Sequence, residues 1–158
     1  MIAISDTSPF NYLILLEEID LLPRLFKEVW IPAAVATELA HPGSPVEVRS
    51  WLEVVPPWFR IAEELDPSAV RSTPPLHRGE REVIALALAR NPDFVLLDDR
   101  AARNAALDLG LPVMGTLAIL KAGARRGELD LPSALARLAR TNFRASDDLL
   151  RQVLGPTT

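Results

Sequence analysis

The stretch Phe94-Val95-Leu96-Leu97-Asp98-Asp99 decides how this chain folds. Four consecutive apolar residues of this kind are typical of a central parallel strand whose two faces are both covered. Helical patterns lie on both sides of it, at residues 79–90 and 100–109, because apolar residues recur there at helical spacing. A buried strand between two helices predicts an α/β fold.

The same alternation continues in both directions from this strand. Toward the N-terminus, residues 1–5 and 29–31 predict strands, and each is followed by a helix that begins near a proline, Pro9 or Pro32. Toward the C-terminus, residues 111–114 predict a last strand before a helix that Gly115 opens. The remaining segments predict short helices at 20–26 and 46–52, an irregular proline-rich stretch at 53–75, a helix beginning at 130–133, and a final helix capped by Ser146 to Asp148 that ends near Gly155.

Length and composition indicate which general class of protein this is. The chain has 158 residues, of which 49% are hydrophobic and 24% charged, so it is long enough to bury one core and is not of the disordered type. We expect a single domain over residues 1–158, with an α/β core in 1–126 and C-terminal helices in 127–158. The N-terminus lacks a signal-peptide pattern and no apolar run reaches membrane-spanning length, which predicts a cytoplasmic protein with no membrane association.

Charge and metal-binding residue types narrow the possible partners. The net charge is −4, but residues 1–99 hold 8 basic and 16 acidic side chains whereas residues 100–158 hold 9 basic and 5 acidic. An acidic site beside a basic surface is therefore possible. With no cysteine and only two histidines, any metal ion is expected to be held by oxygen atoms.

Acidic residues follow the strands at positions where ligands usually bind. Asp6 comes directly after the first predicted strand, and Asp98 and Asp99 come directly after the most apolar one. In open parallel sheets, ligands bind beyond the carboxyl ends of the strands, so these acids converge if the two strands are neighbours. Taken alone, each is equally well explained as a helix cap or a turn residue.

Further acids lie on the predicted helices. Glu38 stands in an otherwise apolar helical stretch, whereas Glu80 and Glu82 fall in a first helical turn, where the helix dipole alone would favour them. Carboxylates gathered in one crevice repel each other unless a cation neutralises them. An oxygen-only ligand set suits Mg²⁺ or Mn²⁺, and such ions promote hydrolysis of phosphodiesters.

Four segments in order carry a family resemblance. They are Ser5-Asp6-Thr7-Ser8-Pro9, Pro32 through Glu38-Leu39, Gly79 through Ala87, and Leu96-Leu97-Asp98-Asp99-Arg100. In this order and spacing they resemble PIN-domain proteins, over about residues 1–126. The later Gly115-Thr116-Leu117-Ala118-Ile119-Leu120 resembles a bacterial and archaeal branch akin to the VapC-like toxins.

The resemblance implies a fold, an activity and partners. The fold would be a Rossmann-like three-layer α/β/α domain with a mostly parallel sheet of four or five strands. The activity would be that of a divalent-metal-dependent endoribonuclease acting on RNA, often the toxin of a type II toxin–antitoxin pair with a cognate antitoxin. A homodimer is also implied, and the Leu-rich helix segment Tyr12-Leu13-Ile14-Leu15-Leu16 is a candidate for its interface.

The resemblance to PIN-domain proteins also implies which residues of this chain form the site. The four catalytic acids fall on Asp6, Glu38, Glu80 and Asp99, with Glu82 and Asp98 as alternative metal ligands. Thr7, Ser8 and Thr116 are supporting candidates, and Arg100, Arg103, Lys121 and Arg125, with Arg126, are possible RNA contacts or ordinary solvated helix faces. The chain departs from the family pattern in two places: Glu80 stands where Asp is usual, and Leu97 stands where many relatives have threonine.

Other residues and interpretations carry less weight. His77 lies just before the Glu80 helix and could approach the crevice, but we interpret it as a surface histidine near a turn, not as a catalytic group. Trp30, Trp51 and Trp58 are interpreted as packing residues. One alternative keeps the fold but has a degenerate site, giving an RNA- or protein-binding module. A phosphorylation-dependent receiver domain is disfavoured, because its acidic pair usually follows the first strand and Met114-Gly115-Thr116 lacks the lysine that it needs near its last strand.

Overall fold

A computed structural model describes residues 1–68, 70, 75–144 and 147–154, and its centre is a sheet of five parallel strands. The strands are β1 (Ile2–Ser5), β2 (Glu28–Ile31), β3 (Phe59–Ile61), β4 (Phe94–Leu96) and β5 (Val113–Met114). Their order across the sheet is β3-β2-β1-β4-β5. The predicted α/β fold with a parallel sheet is confirmed, and the order is the one of doubly wound nucleotide-binding folds, not that of receiver domains.

Helices flank the sheet. They are α1 (Thr7–Leu15), α2 (Leu21–Leu25), α3 (Ala33–Ala40), α4 (Val46–Trp51), α5 (Arg78–Arg90), α6 (Arg100–Asp108), α7 (Thr116–Arg125), α8 (Leu131–Leu138) and α9 (Asp147–Leu154). The predicted cap at Ser146 and the predicted end near Gly155 lie outside the described residues. None of the helices in the described ranges combines the length and apolar character that a bilayer crossing requires.

The two central strands are buried on both faces. Ala3 and Ile4 of β1 and Val95 and Leu96 of β4 have no exposed surface. Burying a side chain of the size of Ile4 contributes roughly 1.5–3 kcal/mol relative to leaving it in water. This burial fixes the register Ser5↔Leu96, and with it the relative positions of the residues that follow the two strands.

The edge strand β3 corrects the prediction that residues 53–75 are irregular throughout. It pairs with β2 through Val29↔Phe59, and Arg60 and Ile61 are exposed, so it lacks the apolar alternation that would reveal a strand. Phe59 holds it in place by packing against Phe10 at 5.2 Å between ring centroids. An edge strand of this kind is stabilised by tertiary contacts more than by its own sequence.

The leucine-rich helix and the tryptophans are used in packing. Leu13, Ile14 and Leu16 are at most 7% exposed, which corrects the prediction that this helix presents them to a second copy of the chain.

Trp51 and Trp58, which are seven positions apart along the chain, have ring centroids 5.8 Å apart and lie against Phe59. Trp30 lies under the guanidinium of Arg90 at 4.6 Å.

Candidate functional site

The carboxyl ends of β1 and β4 form the point where the strand order reverses. β1 lies between β2 and β4, and the backbone N–H of Asp6 donates to the carbonyl of Leu96 at 3.0 Å. The chain leaves β1 into α1 and leaves β4 into α6, so a crevice opens between the two connections. Ligands bind at such switch points of parallel sheets. The two strands are neighbours, which is the condition on which the convergence of their acids depended.

Asp6 is the most buried acid of this crevice. Its side chain is almost fully enclosed, with 4% of the residue exposed, and its Oδ1 atom has no hydrogen-bond partner among the described residues. The pKa of the Asp6 carboxyl is raised to about 7, mainly by burial; the charges of Glu80 and Glu38 add to this rise, whereas the Thr7 backbone N–H and His77 oppose it. A buried, unpaired carboxylate oxygen costs free energy unless a ligand or cation meets it.

Glu80 lies beside Asp6 at the start of α5. A reciprocal pair of hydrogen bonds begins this helix: His77 Nδ1 accepts from the Glu80 N–H and the Glu80 carboxylate accepts from the His77 N–H, both at 3.3 Å. Burial raises the pKa of Glu80, and the charge of Asp99 raises it as well. One potential ligand atom from each of Asp6, His77 and Glu80 lies within 4.8 Å of the other two.

Glu38 reaches the same place from α3. Its Oε2 accepts a hydrogen bond from the Thr7 hydroxyl, and its Oε1 lies 3.7 Å from His77 Nδ1. Gly79 makes this approach possible, because a Cβ atom at that position would lie only 2.4 Å from Glu38 Oε1. Asp6, Glu38 and Glu80, which are widely separated in sequence, therefore share one crevice.

The two acids after β4 have different partners. Asp98 accepts from both the N–H and the hydroxyl of Thr116, each at 2.7 Å, and so ties β4 to the start of α7. Asp99 begins α6 by accepting from the Ala102 N–H at 3.0 Å, and its side chain remains exposed on the side of Glu80. Asp99 is thus the acid of this pair whose charge acts on Glu80, while Asp98 and Thr116 hold the wall of the crevice.

Glu82 does not join the crevice, which corrects the alternative that made it a metal ligand. Its carboxylate is 1% exposed, accepts from the Ala34 N–H at 3.1 Å and pairs with Arg78 Nε at 2.7 Å. It therefore caps the start of α3. Residues two apart in a helix point to different faces, so only one of Glu80 and Glu82 can face Asp6.

His77 is a surface residue at the start of a helix, as predicted, but it also lies beside the acids of the crevice. Its ring is 56% exposed but lies between Glu38 and Glu80, with Nε2 3.4 Å from Glu80 Oε1. The sequence contained a signal for the capping role of His77, because a polar residue three positions before a glutamate is the pattern of a capping box. Histidine is an unusual choice for that position, and this obscured it.

Two cavities lie side by side and share Ser8, Tyr12 and Asn142; Asp99 lines the first and Glu38 the second, whereas Asp6 and Glu80 line neither. The first, of about 660 Å³, is also lined by Asp98 and Asp99 and by three cations, Arg103, Lys121 and Arg144; we call it the cationic groove. The second, of about 900 Å³, is lined by Glu38 and His41. Of the predicted RNA contacts, Arg103 and Lys121 line the cationic groove, whereas Arg100, Arg125 and Arg126 do not.

The parallel sheet and the acids at its switch point define an α/β protein with a carboxylate-rich pocket. A family model described as PIN domain matches residues 2–157, and the chain therefore belongs to the PIN-domain family, as the resemblance indicated. PIN domains are generally nucleases and typically use divalent metal ions. Comparisons with curated proteins and with solved structures give no match.

Proposed function

We propose that this protein is a divalent-metal-dependent endoribonuclease whose catalytic residues are Asp6, Glu38, Glu80 and Asp99. The observation that carries the proposal is the enclosed Asp6 carboxylate, whose Oδ1 has no hydrogen-bond partner among the described residues and which lies next to Glu80. Such an atom in a set of like charges fits a cation ligand better than a packing role.

The donor set fits Mg²⁺ or Mn²⁺. Asp6, Glu38, Glu80 and Asp99 would hold the ion through carboxylate oxygens, the ligands that hard divalent cations prefer. Such an ion, when bound, lowers the pKa of a water molecule and stabilises charge on the phosphodiester. The chain's own part is positioning: the Thr7 hydroxyl orients Glu38, and the Thr116 contacts of Asp98 fix the wall next to Asp99.

The cationic groove supports RNA as the substrate. Among the described residues, Lys121 and Arg144 form no ion pair within 4.0 Å, so their charges are available to phosphates, whereas the charge of Arg103 also acts on Asp98. The rings of Tyr12 and Phe143, 5.0 Å apart, also lie along it. A groove with cations beside aromatic rings suits single-stranded RNA, because the cations can contact phosphates and the rings can stack on bases.

A direct cleavage assay tests the proposal. The purified protein is expected to cut single-stranded or structured RNA internally when Mg²⁺ or Mn²⁺ is present, and to stop when EDTA is in excess. Calorimetric titration with Mn²⁺ alone provides a second measurement. No cleavage together with no metal binding would favour the alternative, a degenerate PIN fold that binds RNA or protein without cutting it.

The two glutamates of α5 provide a sharp pair of variants. Glu80→Gln is expected to weaken Mn²⁺ binding by about tenfold or more while leaving the melting temperature of the metal-free protein equal or higher, since it removes charge repulsion with Asp6. Glu82→Gln is expected to bind Mn²⁺ normally but to unfold more easily, by about 1–2 kcal/mol, because it breaks the contacts to Arg78 and Ala34. Titration calorimetry and thermal melts measure both.

The opposite pattern would reassign the third acid. If Glu82→Gln abolished metal binding and Glu80→Gln preserved it, the centre would not be the one formed around Asp6. Both variants are isosteric and lie on the same helix, so each serves as the control for the other.

The cationic groove makes a separate prediction about RNA binding. A double variant Lys121→Ala/Arg144→Ala is expected to bind single-stranded RNA more weakly and with a shallower salt dependence, by about 0.7 in log–log slope for each phosphate that the variant no longer neutralises. Mn²⁺ affinity should not change. Arg125→Ala/Arg126→Ala removes the same number of charges outside the cationic groove and is the matched control. Equal weakening in both double variants would show that only net charge matters.

The finer biological assignments belong to the same proposal. We propose a cytoplasmic protein with a single domain over residues 1–158, acting as the toxin of a type II pair with a cognate antitoxin and as a homodimer; the motif at residues 115–120 supports the toxin branch. Co-expression with the product of an adjacent gene should relieve growth arrest and give a stable complex. Light scattering tests the homodimer, whose interface must avoid the buried side chains of α1.

A further inference from the structure

His77 is closer to the acidic crevice than helix capping requires. Its capping contacts are the hydrogen bonds to and from Glu80. Capping accounts for these contacts but not for the approach of Nδ1 to Glu38 Oε1 at 3.7 Å, nor for a ring nitrogen within 4.8 Å of both the Asp6 and Glu80 ligand atoms. Asparagine or serine would cap the helix equally well.

We propose that His77 is a nitrogen ligand of the metal centre and that its imidazole makes the centre select Mn²⁺, or a similar transition-metal ion, over Mg²⁺. The inference rests on the metal centre of the proposed function. A purely carboxylate site suits Mg²⁺ and Mn²⁺ alike, whereas an imidazole ligand adds affinity for transition-metal ions and little for Mg²⁺. His77 thus converts an oxygen-only centre into a mixed nitrogen and oxygen centre.

The local geometry lets the ring act as a ligand. Both of its contacts with Glu80 are long, 3.3 Å from the Glu80 N–H to Nδ1 and 3.4 Å from Nε2 to Glu80 Oε1, so exchanging one for a metal bond costs little. The ring is 56% exposed and His77 precedes α5 in an extended conformation, so a small rotation disturbs no buried packing. The enclosed Asp6 oxygen without a partner among the described residues is the independent sign that a cation belongs between these groups.

The chain itself supplies an unusually clean test. It has only two histidines, and the other, His41, accepts from the Gly43 N–H at 2.9 Å and lines the second cavity. Mn²⁺ is added to the purified protein, and pulsed electron paramagnetic resonance detects any imidazole nitrogen bound to it. The variants are His77→Asn, which preserves a capping side chain, and the matched control His41→Asn. Circular dichroism and thermal melts check the folding of both.

The expected result is a directly coupled nitrogen in the wild type and in His41→Asn, but none in His77→Asn. Competition between Mn²⁺ and Mg²⁺ should show that His77→Asn lowers the preference for Mn²⁺ by about tenfold or more, while Mg²⁺ affinity changes little. Both readouts are independent of RNA cleavage.

Three outcomes would overturn the proposal. Mn²⁺ bound with no nitrogen coupling in the wild type would leave the acidic metal centre intact and remove His77 from it. Nitrogen coupling that survives in His77→Asn would likewise exclude this residue. No Mn²⁺ binding at all would overturn both this inference and the metal-dependent function.

Discussion

Asp6→Asn is expected to lower the rate of RNA cleavage by more than about 100-fold, because a metal ion contributes several kcal/mol to the transition state of phosphodiester hydrolysis. The Oδ1 atom of Asp6 has no hydrogen-bond partner among the described residues, so the change breaks no hydrogen bond at that atom. Asparagine is isosteric and fills the same space, so the fold should persist. Initial rates on a labelled RNA in saturating Mn²⁺ measure the effect, and calorimetry should show a parallel decrease in metal affinity.

The matched control is Asp108→Asn, which makes the same chemical change at an exposed position at the end of α6. Its cleavage rate and metal affinity should equal those of the wild type. Full activity of the Asp6 variant, or full activity of the wild type in excess EDTA, would refute the metal-dependent mechanism.

The metal-free protein is expected to lose stability as the pH rises from about 4 to about 7. The pKa of Asp6 is raised from 3.8 to about 7 on folding, so within this window the folded state binds a proton that the unfolded state has released. The free energy of unfolding therefore falls with rising pH, by about 4 kcal/mol for this group if the whole shift is realised. Above pH 7 both states are ionised and the decline stops. The raised pKa values of Glu80 and Asp98 act in the same direction.

Urea denaturation in EDTA at several pH values measures this effect. Subtracting the curve of Asp6→Asn from that of the wild type isolates the contribution of Asp6, since groups elsewhere titrate in both proteins. Adding Mn²⁺ at pH 7.5 should restore about 2.7 kcal/mol at a hundred times its dissociation constant. A difference curve that rises with pH across the window would contradict the placement of Asp6.

Two of the four proposed catalytic acids, Asp6 and Asp99, could be predicted from the arrangement of the strands. Asp6 and the Asp98–Asp99 pair come directly after apolar strands, and parallel strands bring their carboxyl ends to one edge, so their convergence was predictable once β1 and β4 were neighbours. The choice between Glu80 and Glu82 was not predictable in this way. Both lie in one helical turn, and which of them faces Asp6 depends on the residue at which α5 begins, a position that the His77 cap sets.

The remaining differences arise from tertiary packing. β3 shows no strand pattern because only Phe59 of its three residues is buried, and pairing with β2 creates it. The apolar residues of α1 suggest a free face, yet Leu13 and Ile14 are buried because the helix is covered by neighbouring elements. Sequence periodicity indicates that a face is apolar, but not whether the same molecule or another one covers it.

The lack of a side chain at Gly79 matters for any attempt to judge or redesign this centre from its sequence. Since Glu38 Oε1 occupies the space that a Cβ atom would need, a single methyl group at position 79 would displace this carboxylate oxygen from its present place while every acid stayed in the chain. A count of carboxylates in the sequence would then give no sign that the geometry of the proposed centre had changed. The absence of a side chain at this one position is as much a part of the proposed centre as any of its negative charges.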